Sequence, residues 1–152
     1  MNYHEIKSIL LTELNRLVDL KIHSASSSIA STTESKNTAT KSSAGDKHET
    51  GRAMMERELA LSNSQLQKAQ ILKNDLSKIS LTRKFDKVEF GALIFTNDAS
   101  FFICVGLGNI ELHKHKCFAI SAGSPMGLAL MGREEGEILV FQGREIEINH
   151  IV

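Results

Sequence analysis

Tryptophan is absent from this chain, tyrosine and proline occur once each, and seven phenylalanines supply the remaining aromatic content. A proline-binding pocket walled by several aromatic rings is hard to furnish from that composition. An excess of one charge is lacking too, since 18 Lys and Arg balance 18 Asp and Glu. With no global field to attract a polyanion or an anionic bilayer, contact with nucleic acid has to come through a protein partner or a local patch. No run reaches the roughly 18 to 20 apolar residues that span a membrane, and the N-terminus lacks the basic-then-apolar pattern of a signal peptide. A cytoplasmic protein is expected. The two cysteines, Cys104 and Cys117, lie in apolar strand-like runs without C-x-x-C spacing, so they read as buried small hydrophobes rather than a zinc or redox pair. Dinucleotide and phosphate-binding glycine motifs, the nucleophile elbow and any nucleophile-base constellation are also missing, which argues against a self-contained enzyme.

What is present is ordinary globular material: 152 residues, 41% apolar and 24% charged, a composition that excludes overall disorder. The strongest organisational signal is a change of hydrophobic period near residue 80. Before it, Ile6, Leu10, Leu14, Leu17 and Val18 line one helix face. Met55, Leu59, Leu66, Ala69, Leu72, Leu76 and Ile79 line another. Two helices with one apolar stripe each bury them most simply as an antiparallel coiled-coil hairpin over 1–80. Between the stripes lies a Ser/Thr-rich segment, Ser24 to Ser43, uninterrupted by proline. A structureless loop of that length is unusual, so the first helix is expected to run to Lys36 or beyond. The tip then falls near 44–50, with Asp46 as N-cap and Glu49 three residues later in capping-box spacing.

Past Leu81 the period shortens to that of strands: Val88 to Thr96, Ser100 to Leu107, Cys117 to Ser121, Ile138 to Phe141 and Glu145 to Ile151, punctuated by Asn97-Asp98, Gly106 with Gly108-Asn109, and Gln142-Gly143. A short helix fits Pro125 to Met131, with Ser124 as cap, Pro125 at the first position and Gly132 at the end. An antiparallel sheet with one short helix over 81–152 makes the whole chain α+β. His113, Lys114, His115 and Lys116 read as a solvated basic turn rather than a metal site.

Two segments resemble the Gre family of bacterial transcript-cleavage factors. Ala44-Gly45-Asp46-Lys47-His48-Glu49-Thr50-Gly51-Arg52-Ala53 is similar to the family's hairpin tip. The run from Ile120 to Glu137, containing Ser124-Pro125-Met126-Gly127-Leu128-Ala129-Leu130-Met131-Gly132, is similar to the core of its C-terminal domain. The resemblance implies a coiled-coil hairpin joined to an FKBP-like domain, and a monomer that binds bacterial RNA polymerase and enters its secondary channel. It implies no cofactor bound by the protein alone, and a Mg²⁺ shared with the polymerase through Asp46 and Glu49, so that the polymerase cleaves backtracked RNA. It also implies that Ser124, Pro125, Met126 and Gly127 form the docking-side loop. Nucleic acid would be met only inside that complex. A carboxylate pair suits this chemistry, because Mg²⁺ takes one or two carboxylates plus water and phosphate oxygens.

At each position a plainer reading stands beside the sharper one. Asp46 and Glu49 can simply cap a helix, and Ser124-Pro125 can simply start one. Lys36, Lys41, Lys47, Arg52 and Arg57 can face a phosphate-lined channel or only water. After Glu49 the sequence continues Thr50-Gly51-Arg52-Ala53, where the family's tips usually carry Asn and then an aromatic. The alternatives are a secondary-channel regulator without cleavage activity and, more distantly, a peptidyl-prolyl isomerase or a helical-hairpin adaptor.

Overall fold

The first helix begins with a reciprocal cap. Asn2 Oδ1 accepts from the Glu5 N–H at 2.8 Å, and Glu5 Oε2 accepts from the Asn2 N–H at 3.0 Å, which satisfies donors that a helix start leaves unpaired. From there α1 runs unbroken over Tyr3–Lys41, carrying the Ser/Thr-rich stretch as helix as far as Lys41, and α2 spans Asp46–Ser77. The computed structural model describes the backbone of residues 2–41 and 46–152 and the side chains of 2–38 and 49–152. After the helices come β1 (Leu93–Thr96), β2 (Ser100–Ile103), β3 (Gly108–Leu112), β4 (His115–Ile120), α3 (Pro125–Leu130), β5 (Ile138–Phe141) and β6 (Arg144–Ile151). The architecture is α+β, a long helical hairpin and a six-stranded sheet with one short helix.

Two compact units emerge, one formed by Arg16–Lys73 and the other by Met1–Asn15 together with Asn74–Val152. In the first, two ion pairs fix the helix register: Asp19 with Lys73 at 2.9 Å and Lys36 with Glu56 at 3.4 Å. Moving from Asp19 to Lys36 along α1 matches an equal step back from Lys73 to Glu56 along α2, as an antiparallel pair requires. In α1 Ile22, Ala25, Ile29 and Thr32 face inwards, and in α2 Leu59, Ser62, Leu66 and Ala69 do. Each of these side chains is buried or half-buried. Large and small side chains alternate along both stripes, a pattern suited to interdigitation.

In the second unit the strand order is β3-β4-β2-β1-β6-β5. All neighbours are antiparallel except β2 and β4, which run parallel, so the sheet is mixed where the sequence predicts an antiparallel one. The chain leaves β2, skips one strand position, comes back as β3, and turns through His113-Lys114 to lay β4 in the gap. Several strands differ from their expected bounds, β2 ending at Ile103 rather than Leu107 and β4 starting two residues early at His115, and two of the differences have local reasons. Gly91, at φ 90°, bends the chain so that β1 starts only at Leu93. Gly108-Asn109, expected as part of a turn, instead opens β3, whose inward residues are only Ile110 and Leu112.

Strand alternation divides the sheet's side chains between two faces. Ile94, Phe101, Ile103, Ile146, Ile148 and Ile151 gather with Leu130 of α3 and Val88 into one core. Leu93 and Phe102, opposite each other across β1 and β2, belong to the other face and are fully buried. There the opening turns of α1 lie on the sheet. The Tyr3 ring sits 4.6 Å from that of Phe95, and Lys7 lies 4.7 Å and 5.9 Å from the ring centroids of Phe85 and Phe102. Among the described residues, no helix is long and apolar enough to cross a membrane.

Candidate functional site

The hairpin turn and the Ser124 loop are the two places where the sequence points to function. At the first, Asp46 opens α2 and Glu49 lies in the same first turn, exposed. The side chain of Asp46, its N-cap role and the Ala44-Gly45 turn lie outside the described residues, as do the side chains of Lys41 and Lys47. Arg52 is described and exposed, with its Nε 3.7 Å from Glu56 one turn on. Glu56 also receives Lys36, so it ties α2 to α1 and holds both cations on the arm's flank. Arg57 is exposed.

Two carboxylates, both hard oxygen donors, fit Mg²⁺ in kind but fill too few positions for an ion that takes six ligands. Water or a partner's oxygens would have to supply the rest. No group of three or more His, Cys, Asp or Glu side chains placed to hold a metal occurs among the described residues. His113, in the turn joining β3 and β4, and His115, which opens β4, are both exposed, and His113 takes φ 51°.

At the second place the local structure is a tight cap. Ser124 Oγ accepts from the Gly127 N–H at 3.0 Å and donates to the Ser121 carbonyl at 2.7 Å. Pro125, with no N–H to satisfy, occupies the first turn of α3. Gly127 is buried, and a Cβ there would stand 2.2 Å from the Ser121 carbonyl oxygen. Ser124 and Gly127 are thus fully used in shaping the loop. Met126 is half-buried against the core, and Pro125 is exposed. The exposed apolar surface beside the motif comes from residues not singled out in the sequence, Leu128 at 66% exposure and Met131 at 37%. Leu128 lies on α3 and Met131 caps its end, and their three-residue spacing was the signal available for them.

An open recess of about 510 Å³ lies elsewhere in the sheet unit, with His4, Arg83, Asp86, Glu135 and His150 among its walls. Glu135 Oε1 is already engaged there, by His150 Nδ1 at 2.6 Å and the Ile151 N–H at 2.8 Å. Phe85 is the one aromatic lining residue besides the histidines, a poor seat for a prolyl ring. The cysteines are buried as expected. Burial pushes both thiols up to about 12, helped at Cys117 by the neighbouring Cys104 and opposed at Cys104 by a backbone bond to Val105.

No family model matches this chain, and no curated protein matches it. A solved structure titled "Structure of the transcription factor Gfh1" aligns with 90% of this chain and 92% of its own, at 18% identity and a TM-score of 0.36. A likeness of that size is too slight to carry an argument.

Proposed function

We propose that this protein is a secondary-channel factor of RNA polymerase, acting in transcription elongation through the acidic end of its helical arm. The observation that carries the reading is an unbroken two-helix arm whose second helix opens with Asp46 and Glu49. In the same chain the Ser124-Pro125-Met126-Gly127 loop sits on a separate sheet unit. From Arg16 to Lys41 the α1 part of the arm measures about 39 Å at 1.5 Å per residue, a length suited to reaching into a channel.

In this reading the sheet unit docks on the polymerase with the α3 loop. Asp46 and Glu49 would supply two oxygen ligands to a Mg²⁺ whose other ligands come from the polymerase, water and RNA phosphate. Such an ion, when bound, activates water for in-line displacement at phosphorus. The protein's part is to place the carboxylates, while Lys41, Lys47 and Arg52 flank them with positive charge that phosphates would meet. Alone the protein has no nuclease activity in this scheme, and nucleic acid is met only in the complex.

The test is RNA 3′-end cleavage in purified backtracked elongation complexes with Mg²⁺, comparing the wild type with Asp46→Ala/Glu49→Ala. Stimulation by the wild type, lost in the double variant while polymerase binding persists, is the expected outcome. Polymerase binding without stimulation would leave a channel-occupying regulator, a reading that Thr50-Gly51-Arg52-Ala53 in place of the family's Asn and aromatic favours. Absence of polymerase binding would overturn the proposal altogether.

A further inference from the structure

Among the described residues β5 ends the sheet, with β6 on one side and no strand on the other. Its pairing phase can be worked out from two bonds at its start. Gly136 N–H donates to the Ile148 carbonyl at 2.8 Å, and the Ile148 N–H donates to the Glu137 carbonyl at 2.9 Å. With Gly136 at φ 85°, this is a bulge with glycine in the left-handed position. Beyond it the register is regular, Ile138 opposite Glu147, Leu139 opposite Ile146, Val140 opposite Glu145 and Phe141 opposite Arg144. Hydrogen-bonded and non-bonded pairs alternate along an antiparallel ladder. Glu137, Leu139 and Phe141 therefore bond to β6, and the N–H and C=O groups of Ile138 and Val140 point to the open side.

Those same two residues present their side chains to water, at 57% and 68% exposure. Natural edge strands are usually guarded by lysine, proline or a bulge within the strand, whereas Ile138–Phe141 reads Ile-Leu-Val-Phe and its bulge precedes it. Directly opposed residues share a face, so Glu147 and Glu145 stand beside Ile138 and Val140 on the outer surface of the hairpin. Among the described residues neither carboxylate has a cationic partner.

We infer that the open edge of β5 accepts an extended segment of a partner protein in which basic residues alternate with others, added as a further antiparallel or parallel strand. The occupant's chemistry follows from the surface. Strands lie about 4.8 Å apart, so a lysine or arginine opposite Ile138 or Val140 lays its aliphatic stem over that side chain. Its charged head then meets Glu147 or Glu145 one strand further on. A second copy of this chain would bring the same carboxylates to the same face and offers no such complement. The inference stands independently of any role at the polymerase.

The test uses the ¹⁵N-labelled full chain and an acetylated, amidated octapeptide alternating arginine with valine, with the matching glutamate-valine peptide as control. Amide hydrogen exchange at Ile138 and Val140 is expected to slow by about tenfold or more with the basic peptide and not with the acidic one. Glu145→Lys/Glu147→Lys should weaken binding by about tenfold. Val140→Pro should abolish it while β6 amides stay protected, because the N–H it removes faces outwards. Three outcomes would overturn the inference: no slowing at millimolar peptide, slowing equal with both peptides, or protection of Ile138 and Val140 that rises with protein concentration alone, which would make a second copy the occupant.

Discussion

Lys7 holds its ammonium between two phenyl rings and donates from Nζ to the Val152 carbonyl at 2.9 Å, with 1% of the residue exposed. Burial, and then the positive charge of Arg83, lowers its pKa from 10.5 to about 8. The native state thus prefers the neutral amine more than the unfolded chain does. Below pH 8 both states carry the proton and the penalty is present in full. As pH rises from about 8 to 10.5 the native state sheds its proton first, so unfolding takes up protons and stability should increase. A shift of that size corresponds to roughly 3 kcal/mol as an upper bound. Urea unfolding measured from pH 7.5 to 10.5 should show this rise in the wild type and lose it in Lys7→Met. An equal slope in both would disprove the assignment. Nothing in the sequence announces this lysine: it follows Ile6 on the flank of the apolar stripe, where a solvated head is the usual outcome. Only the packing of α1 on a sheet more than 80 residues away encloses it.

At the scale of elements, α3 was the most legible part of the chain. Ser124, Pro125 and Gly132 are start and stop signals that act within a few residues of themselves, and the helix forms between them. Gly127 was legible only as part of a resemblance, because its necessity depends on the carbonyls of Ser121 and Ala122, 2.2 Å and 2.9 Å from where a Cβ would stand. Gly127→Ala should therefore destabilise the protein by at least about 2 kcal/mol, against about 1 kcal/mol for Ser124→Ala, which loses only the cap. Guanidinium unfolding of both variants gives the comparison, and a neutral Gly127→Ala would mean the loop relaxes freely. The helical arm was readable from its period. β3 was not, since two inward residues on a five-residue strand give no periodic signal, and its place at the edge is set by the parallel meeting of β2 and β4. Leu128 and Met131 were missed as surface residues because an apolar side chain in a short helix is ordinarily assigned to the core.

Across the whole molecule the two units differ in what holds them. The seam of Arg16–Lys73 leaves Ile22, Ile29, Leu59 and Leu66 only half-buried, whereas the sheet unit buries Phe102, Leu93, Ile94, Ile103, Ile146 and Ile148 completely. Less apolar area per level means cheaper local opening. Backbone amides of residues 22–36 and 51–66 should exchange about a hundredfold faster than those of β1, β2 and β4, as native-state hydrogen exchange would show. Equal rates would mean one cooperative unit. The sheet unit is also assembled from two stretches of chain separated by the arm. Ile94 of β1 pairs with Ile151, and Lys7 finds its acceptor 145 residues later. During synthesis both helices of the arm are complete once residue 73 has left the ribosome. The sheet cannot seal β1 until β6 follows, and closing contacts so distant in sequence is slow. The nascent chain therefore passes through a stage with both helices of the arm made and an open apolar sheet, and its exposure to aggregation is concentrated in the time taken to make and dock β5 and β6.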